Sequence, residues 1–536
     1  MTERDASILQ DSMAEAVARA YALSQDDEKI EPIVRVDRFG RPVGRIRSGD
    51  YVIFYDIRGE REIELTEAFT NPDFRHFPTR PDMDTHWATM IQYDPKLDVR
   101  VAFPPPGKIE DTLSEVVSAA GMRQVKISES EKATHVTFFF NGKRKEPFPA
   151  EEWVTVPSPH GVLDLSTTPS LNVSGVTEAA VGALRDPAYD LVVTNLANVD
   201  VIGHIENPDA IRTAVETVDR HVGEIVEAAL EHGVTVLLTA DHGTVERWYY
   251  PDGTIDTGHT DSPVPCLLLD RDREALAIAK LRDEGELGDV APTILELLGL
   301  QVPAAMTGRS LLAESPHEWL ARKRRVLLLI ADGWGLGDGG PGDLIAQAST
   351  PVMDRLSHSY PFTRLQAAGN AVGMPDGSVG NSEAGHLHLG AGRRILSDRL
   401  RIDSAIQDGT FCENAAFLWA MRSAIRAGTR LHLLGLVSFY SSHGSVDHLL
   451  ALLRLAEREG VPEVYVHSML GRRGERKDSG AKYIRLIEEQ TAKIGAGLVA
   501  SVIGRFWSLD REGHWDRVEK TYRMLVEGVG TPVNPD

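Results

Sequence analysis

The stretch Val326-Leu327-Leu328-Leu329-Ile330-Ala331-Asp332-Gly333-Trp334-Gly335 decides the fold. Its apolar half leaves no polar face for water, so it reads as a strand buried on both sides of a parallel sheet. Two segments repeat the design: Leu191 to Thr194 before Asn195, and Val234 to Thr239 before Ala240-Asp241-His242. Between those two, apolar residues recur at Ile211, Val215, Val218, Val222 and Ile225, which predicts a helix over 209–230. Strand, helix and strand in alternation make an α/β protein with a parallel-rich sheet flanked by helices. Ligands of such sheets bind beyond the carboxyl ends of the strands, where these Asp and His residues fall.

The 536 residues include 79 Asp+Glu against 57 Lys+Arg, a net charge of -22. That excess of acid opposes a nucleic-acid partner unless the Arg and Lys residues cluster on one face, since a polyanion needs a basic footprint. At roughly 150 residues per domain the length allows two to four domains. A hydrophobic fraction of 42% excludes general disorder. No stretch approaches the ~18 apolar residues of a spanning helix, and the first residues lack the basic-then-apolar order of a signal peptide. A cytoplasmic protein with no membrane partner is the expectation. Cys266 and Cys412 stand in unrelated contexts, so neither a disulfide framework nor a thiolate metal site is built from them. Pro104-Pro105-Pro106-Gly107 and the charged stretch Ala313 to Arg325 read as joints. The first dozen residues are expected to fray.

The densest chemistry is Asp241-His242-Gly243 with His259 further on, Asp200 and His204 in NVDVIGH, and Asp332. A mixed Asp and His set suits Mn²⁺ or Zn²⁺ better than Ca²⁺, which prefers oxygen alone. An isolated Asp-His pair after a strand is more often a capped turn; the recurrence at several strand ends is what points to metal. The second signal is Gly380-Asn381-Ser382-Glu383-Ala384-Gly385-His386. Small neighbours leave a serine hydroxyl open to attack on phosphorus, and a metal ion lowers its pKa. The plainer alternative is a glycine-rich turn with Ser382 capping a helix. The third group is basic: Arg58, Arg61, Lys132, His443, Arg473, Arg505 and Arg511. Gathered in a cleft, such residues select a small anion; one by one they are ordinary surface charges.

Together ADGWG, GNSEAGHLHLGAGR, LHLLGLVS, GRFWSLDREGHWDRVEKTY, DEKIEPIV, HVTFFFNG, VPSP, TADHG, GHTDSPVP and DVAPTILELLG resemble the 2,3-bisphosphoglycerate-independent (cofactor-independent) phosphoglycerate mutases of the alkaline phosphatase superfamily. Their order differs: the family begins with ADGWG and ends with DVAPTILELLG, whereas here that end precedes ADGWG. The sequence therefore resembles a circular permutant. The resemblance implies an alkaline-phosphatase-like core over 107–397, with a permutation linker at about 313–325. It implies a second α/β transferase domain assembled from 398–536 and 1–106. A linker of about 12 residues reaches roughly 40 Å when extended, enough to join two neighbouring termini.

By motif, the resemblance assigns Asp332, Ser382, Asp241 and His242 to one divalent ion and Asp200, His204 and His259 to another, with Mn²⁺ the first choice and Zn²⁺, Co²⁺ or Mg²⁺ possible. Ser382 is then the nucleophile of a phosphoserine intermediate. Arg58, Arg61, Arg505, Arg511, Lys132, His443 and Arg473 match positions that hold phosphate or the glycerate carboxylate. The implied protein is a monomeric isomerase acting on a small phosphorylated glycerate. Two departures bear on this. The family's Ser-Asp-Gly-Gly-Val-His run is Ser438-Phe439-Tyr440-Ser441-Ser442-His443, and its Asp-Gly-Arg-Asp is Gly471-Arg472-Arg473-Gly474. The acid that handles the glycerate hydroxyl proton is absent at Gly474, and such assistance is worth ~10²–10⁴-fold. Either Glu475 or Asp478 substitutes, or donor or acceptor has changed, as in a phosphonate-type biosynthetic paralogue. A phosphatase or phosphodiesterase and a non-catalytic binding relic are the other classes; seven retained ligand-type residues oppose the relic.

Overall fold

A computed structural model describes residues 11–80, 82–159, 164–250, 252–314, 324–438, 443–471 and 479–535. The chain falls into two compact units, one made of Met1–Pro105 with Asp398–Asp536 and the other of Pro106–Ser397. Phe439, Tyr440, Ser441, Ser442, Arg473, Gly474, Glu475 and Asp478 lie outside the described residues, as do 1–10 and most of the stretch from Ala313 to Arg325.

The Pro106–Ser397 unit is built on an eight-stranded sheet in the order Glu284–Glu286, Phe362–Gln366, Val264–Leu269, Val234–Thr239, Arg325–Ala331, Leu191–Leu196, Gln124–Glu129, Glu151–Val156. Val264–Leu269 runs antiparallel to both neighbours and every other pair is parallel. The apolar run that opened the sequence analysis is the strand Arg325–Ala331, and Val326 to Ala331 are all buried. Its continuous hydrophobicity follows from having a strand on each edge and packed elements on each face, and each fully buried Val or Leu contributes about 1.5–3 kcal/mol. Register then positions the chemistry. Ile330 pairs with Asn195 on one side and with Thr239 on the other, so Asp332 and Asp241 leave the sheet in step. The predicted helix is Pro208–Glu231, with Asn207 as N-cap, Pro208 in its first turn and Ile211, Val215, Val218, Val222 and Ile225 on the buried face.

The other unit has its own eight-stranded sheet, in the order Thr531–Val533, Ile33–Arg35, Leu498–Gly504, Val464–Leu470, Leu431–Leu436, Tyr51–Phe54, His86–Ile91, Arg100–Phe103. Only the Ile33–Arg35 and Leu498–Gly504 pair is antiparallel. The four central strands are parallel neighbours, so the loops after Gly504, Leu470, Leu436 and Phe54 open on one edge. No helix among the described residues is long and apolar enough to cross a membrane.

One buried ion pair stands away from the carboxyl ends of the strands. Lys126 Nζ lies 3.0 Å from Glu151 Oε1 on the neighbouring strand, both side chains fully buried. Asn141 Nδ2 donates to both Glu151 oxygens at 3.0 Å, its Oδ1 accepts from Lys126, and the Phe140 ring covers the ammonium at 4.3 Å. Burial pulls the lysine down to about 8, against the opposing pull of Glu151. Glu151→Ala should therefore cost about 3–5 kcal/mol in urea unfolding, since it strands a buried ammonium, while Lys126→Met paired with Glu151→Leu should cost far less. Equal losses would contradict this.

Candidate metal centre

Four adjacent parallel strands deliver the polar residues of the Pro106–Ser397 unit to one edge. Lys132 closes the single turn Ser130–Lys132 after Gln124–Glu129. Asp200 sits in the short helix Asn198–Gly203 after Leu191–Leu196, with His204 one turn on as its C-cap. Asp332 follows Arg325–Ala331, and Asp241-His242 follow Val234–Thr239. His259 lies just before the antiparallel Val264–Leu269, whose amino end shares this edge.

Ser382 is the first residue of the helix Ser382–Ala391, and the N-cap is Asn381, whose side chain accepts from the Ala384 amide at 2.8 Å. The alternative in which Ser382 caps the helix is thereby corrected: Asn381 takes that role and frees the hydroxyl. Two glycines let this helix end press on the strand loops. A Cβ on Gly385 would stand 2.6 Å from the Asp241 carbonyl oxygen, and one on Gly380 would stand 2.8 Å from His242 Cβ.

The side chains converge. Lys132 Nζ donates to Asp200 Oδ2 at 2.6 Å and to Asp332 Oδ1 and Ser382 Oγ at 2.7 Å each. His242 Nε2 is 2.9 Å from Ser382 Oγ. Ligand atoms of Asp241, His242 and Asp332 lie within 4.8 Å of one another, and so do those of Asp200, His242 and His259. His204 and His259 turn their Nδ1 atoms to backbone carbonyls, of Thr257 at 2.7 Å and Gly380 at 2.9 Å, so both Nε2 atoms face inward. All six Asp and His candidates and Ser382 thus share one place. Lys132, grouped by resemblance with the anion-binding cations, stands among these carboxylates.

The arrangement fits a divalent cation. Asp200 Oδ1 is met by Nε2 of His259 at 3.0 Å, of His204 at 3.4 Å and of His242 at 3.7 Å, yet it accepts no hydrogen bond, and neither does Asp241 Oδ2. Three imidazole nitrogens and an anionic oxygen converging at these distances are a donor set for a positive ion. Charge points the same way: Asp200, Asp241 and Asp332 are buried together against the single ammonium of Lys132. Burial would raise Asp200, but Lys132 and the imidazoles of His204 and His259 hold it well below the usual range. Burial and the Asp241 charge together push Asp332 up. A cavity of about 510 Å³ lined by Lys132, His135, Asp200, His204, His259 and Ser382 opens onto these groups.

Sequence reasoning missed a supporting layer. Asn195 Nδ2 donates to Asp332 Oδ2 at 2.7 Å and lies 3.1 Å from His386 Nε2. His386 Nδ1 donates to the Ser382 carbonyl at 2.9 Å and lies 3.2 Å from Asp241 Oδ2. The available signal was the i, i+4 spacing of Ser382 and His386 on one helix face. Burial pushes His135 down to about 4, so that ring stays neutral beside the cluster.

In the other unit, the described anion-binding candidates gather at the carboxyl edge. Arg511 lies 2.6 Å and Arg58 3.9 Å from Glu60 Oε2, and Arg61 donates to the Leu509 carbonyl at 3.1 Å. Arg505 Nε is 3.7 Å from Glu28 Oε1, and His443 Nδ1 is 2.9 Å from Glu62 Oε1.

Residues 19–302, more than half of the chain, match the family model described as Metalloenzyme superfamily. The chain belongs to that superfamily. Residues 402–535 match a second model, the BPG-independent PGAM N-terminus. A 2,3-bisphosphoglycerate-independent phosphoglycerate mutase of Moorella thermoacetica is 43% identical over 305 residues, which is 56% of this chain and 58% of that protein. One from Synechococcus sp. (strain JA-3-3Ab) is 42% identical over 316 residues, 58% of each. The chain thus spans about 58% of the length of the curated relatives it matches. A phosphoglycerate mutase structure from Leishmania mexicana aligns at 29% identity over 52% of this chain and 53% of its own, with a TM-score of 0.36, too low to bear on the fold.

Asn195→Ala tests the supporting layer: it should weaken Mn²⁺ binding by about 10–100-fold in calorimetric titration, the usual loss when an outer partner of a ligating carboxylate is removed. Unchanged affinity would show that Asp332 needs no such partner.

Proposed function

We propose that the protein is a metal-dependent phosphotransferase of the phosphoglycerate mutase type, passing a phosphoryl group through Ser382 to a glycerate-like acceptor. The observation that carries this reading is the meeting of the Ser382 hydroxyl with three buried aspartates and three histidines at one sheet edge. The names of the relatives support it. Asp332, Asp241, His242 and Ser382 would hold one divalent ion and Asp200, His204 and His259 a second, with Mn²⁺ preferred. Bound there, such ions supply Lewis-acid stabilisation of the serine alkoxide and of the phosphoryl oxygens.

The chain's own groups divide the remaining work. Lys132 donates to Ser382 Oγ at 2.7 Å and so stabilises developing negative charge on it, as does the helix N-terminus on which Ser382 sits. The Ser382 Oγ–H bond breaks and Oγ bonds to phosphorus as the bond from phosphorus to the glycerate oxygen breaks, and that oxygen takes up a proton to become a hydroxyl; return of the group to the other hydroxyl reverses both transfers. Arg58, Arg61, Arg505, Arg511, His443 and Arg473 are assigned to the phosphate and carboxylate of the substrate. Lys132, assigned to the same substrate groups, also touches Ser382 Oγ.

The permuted order is part of the proposal. Its support is that a model named for a family N-terminus matches 402–535, behind the 19–302 match. The glycine at position 474 favours a second reading, in which donor or acceptor has changed, as in phosphonate-type metabolism.

An enolase-coupled assay with 3-phosphoglycerate and Mn²⁺ separates the readings. Formation of 2-phosphoglycerate is expected, phosphate release would mean a hydrolase, and silence would mean a changed donor. Chelation should stop turnover and added Mn²⁺ restore it. Ser382→Ala should lower the rate by more than about 10³-fold and abolish covalent labelling by the substrate; persistent labelling would mean a different nucleophile.

A further inference from the structure

The unit made of Met1–Pro105 and Asp398–Asp536 gathers arginines at the edge of its sheet opposite the loops after Gly504, Leu470, Leu436 and Phe54. Arg430 directly precedes the strand Leu431–Leu436, and Arg45 and Arg47 flank the buried Ile46 in the segment that leads into Tyr51–Phe54. Arg80 lies in the loop before His86–Ile91. Hydrogen bonds lace these segments together. The Gly49 amide donates to the Asp84 carbonyl at 2.6 Å, the Asp84 amide to Ser48 Oγ at 3.2 Å and the His86 amide to the Asp50 carbonyl at 3.0 Å. The last turns of the helix Trp515–Glu527 hold both loops: the Ile46 amide donates to the Leu525 carbonyl at 2.8 Å, and the Arg80 amide to the Tyr522 hydroxyl at 3.0 Å.

One of the four charges is neutralised: Arg430 reaches Asp50 through Nε at 3.1 Å and Nη2 at 2.8 Å. The guanidinium groups of Arg45, Arg47 and Arg80 make no hydrogen bond or ion pair among the described residues, and Arg47 and Arg80 bond only through their backbone. Arg45 is half-buried, and its Nε–H is buried without an acceptor. A Cβ on Gly528, the C-cap of the helix Trp515–Glu527, would stand 3.2 Å from Arg45 Cδ, so the negative helix end offsets part of the charge. Yet Nε donates to no carbonyl there, and a buried donor left unsatisfied is a cost that a bound acceptor removes. Burial pulls the Arg45 guanidinium down from its ordinary value, and so do the charges of Arg47, Arg80 and Arg430, all of its own sign.

We propose that Arg45, Arg47 and Arg80 form a binding site for a phosphate group at this edge of the sheet, separate from the anion-binding candidates at its carboxyl edge. Phosphate offers acceptor oxygens in several directions, so guanidinium forks from separate loops can bond it together, which a flat carboxylate suits less well. The anion supplies the acceptor that Arg45 Nε lacks and relieves the repulsion among the three cations. Arg80 also lines a cavity of about 850 Å³ with Phe69, Phe77, Asp84, Asp98 and Tyr522. The two acids there oppose a second negative charge and suit hydroxyl groups. The ligand is thus free phosphate, or a phosphate monoester whose hydroxylated, uncharged body enters the cavity.

The test uses the full-length, Mn²⁺-loaded protein. In calorimetric titrations at constant ionic strength, inorganic phosphate should bind, and Arg47→Gln combined with Arg80→Gln should abolish one bound equivalent or weaken it at least about tenfold. Both side chains are exposed, so the fold should tolerate the pair of substitutions. Glucose 6-phosphate serves as the ester: binding about tenfold tighter than phosphate means that the cavity holds its body, and equal or weaker binding means that free phosphate is the ligand. Crystals of the unmodified protein soaked in tungstate, a phosphate analogue with a strong anomalous signal, locate the site without any substitution. Density in contact with Arg45, Arg47 and Arg80 is expected. Density only at the metal centre or among Arg58, Arg61, Arg505 and Arg511 would overturn the inference. So would titrations that the double substitution leaves unchanged, or phosphate binding no tighter than that of chloride.

Discussion

Three aspartates buried in one cluster are the constraint on which the rest of the Pro106–Ser397 unit depends. Carboxylates that close repel one another and resist leaving water, so a fold that buries them together is stable only with positive charge among them. Asp200, Asp241 and Asp332 are brought there by strand register, which places Asp332 and Asp241 in step beyond paired neighbours. Lys132 offsets part of the charge, and its ammonium bonds two of the three carboxylates and the Ser382 hydroxyl. The imidazoles that surround Asp200 are a donor set suited to a metal ion.

The two units solve different versions of one electrostatic problem. In the Pro106–Ser397 unit the buried negative charge is met by ammonium and imidazole, and the donors left over suit a divalent ion. In the other unit the buried acids Asp56 and Glu62 are met by the backbone amides of Leu436 and Arg61 and by the His443 imidazole, and burial pushes the Asp56 carboxyl well above its usual range. The Lys126 and Glu151 pair is a third solution, neutralised within itself and screened by Asn141 and Phe140.

What could be read from the sequence follows from what leaves a local signature. A strand buried on both faces must be continuously apolar, so Val326 to Ile330 and Val234 to Thr239 announced themselves, and the polar residue that ends such a run marks the sheet edge. The ligand-type residues were visible for that reason, as was the helix Pro208–Glu231 through its 3.6-residue period. Asp56 and Glu62 were not. In YDIRGEREI they sit among arginines and read as a solvated charge run; only the return of His443 from nearly four hundred residues away buries them. Asn195 was seen as the end of a strand, but its amide's bond to Asp332 depends on register between strands far apart in sequence. Lys132 was grouped with the arginines by charge, and only tertiary structure brings it beside Ser382.

Anomalous diffraction from crystals grown with Mn²⁺ tests the central claim most directly. The account predicts ions bound by Asp200, His204 and His259 and by Asp332, Asp241 and His242, at about 2.0–2.3 Å from their donors, with Ser382 Oγ in contact with the second. Anomalous density elsewhere, or a Ser382 hydroxyl remote from any ion, would contradict it.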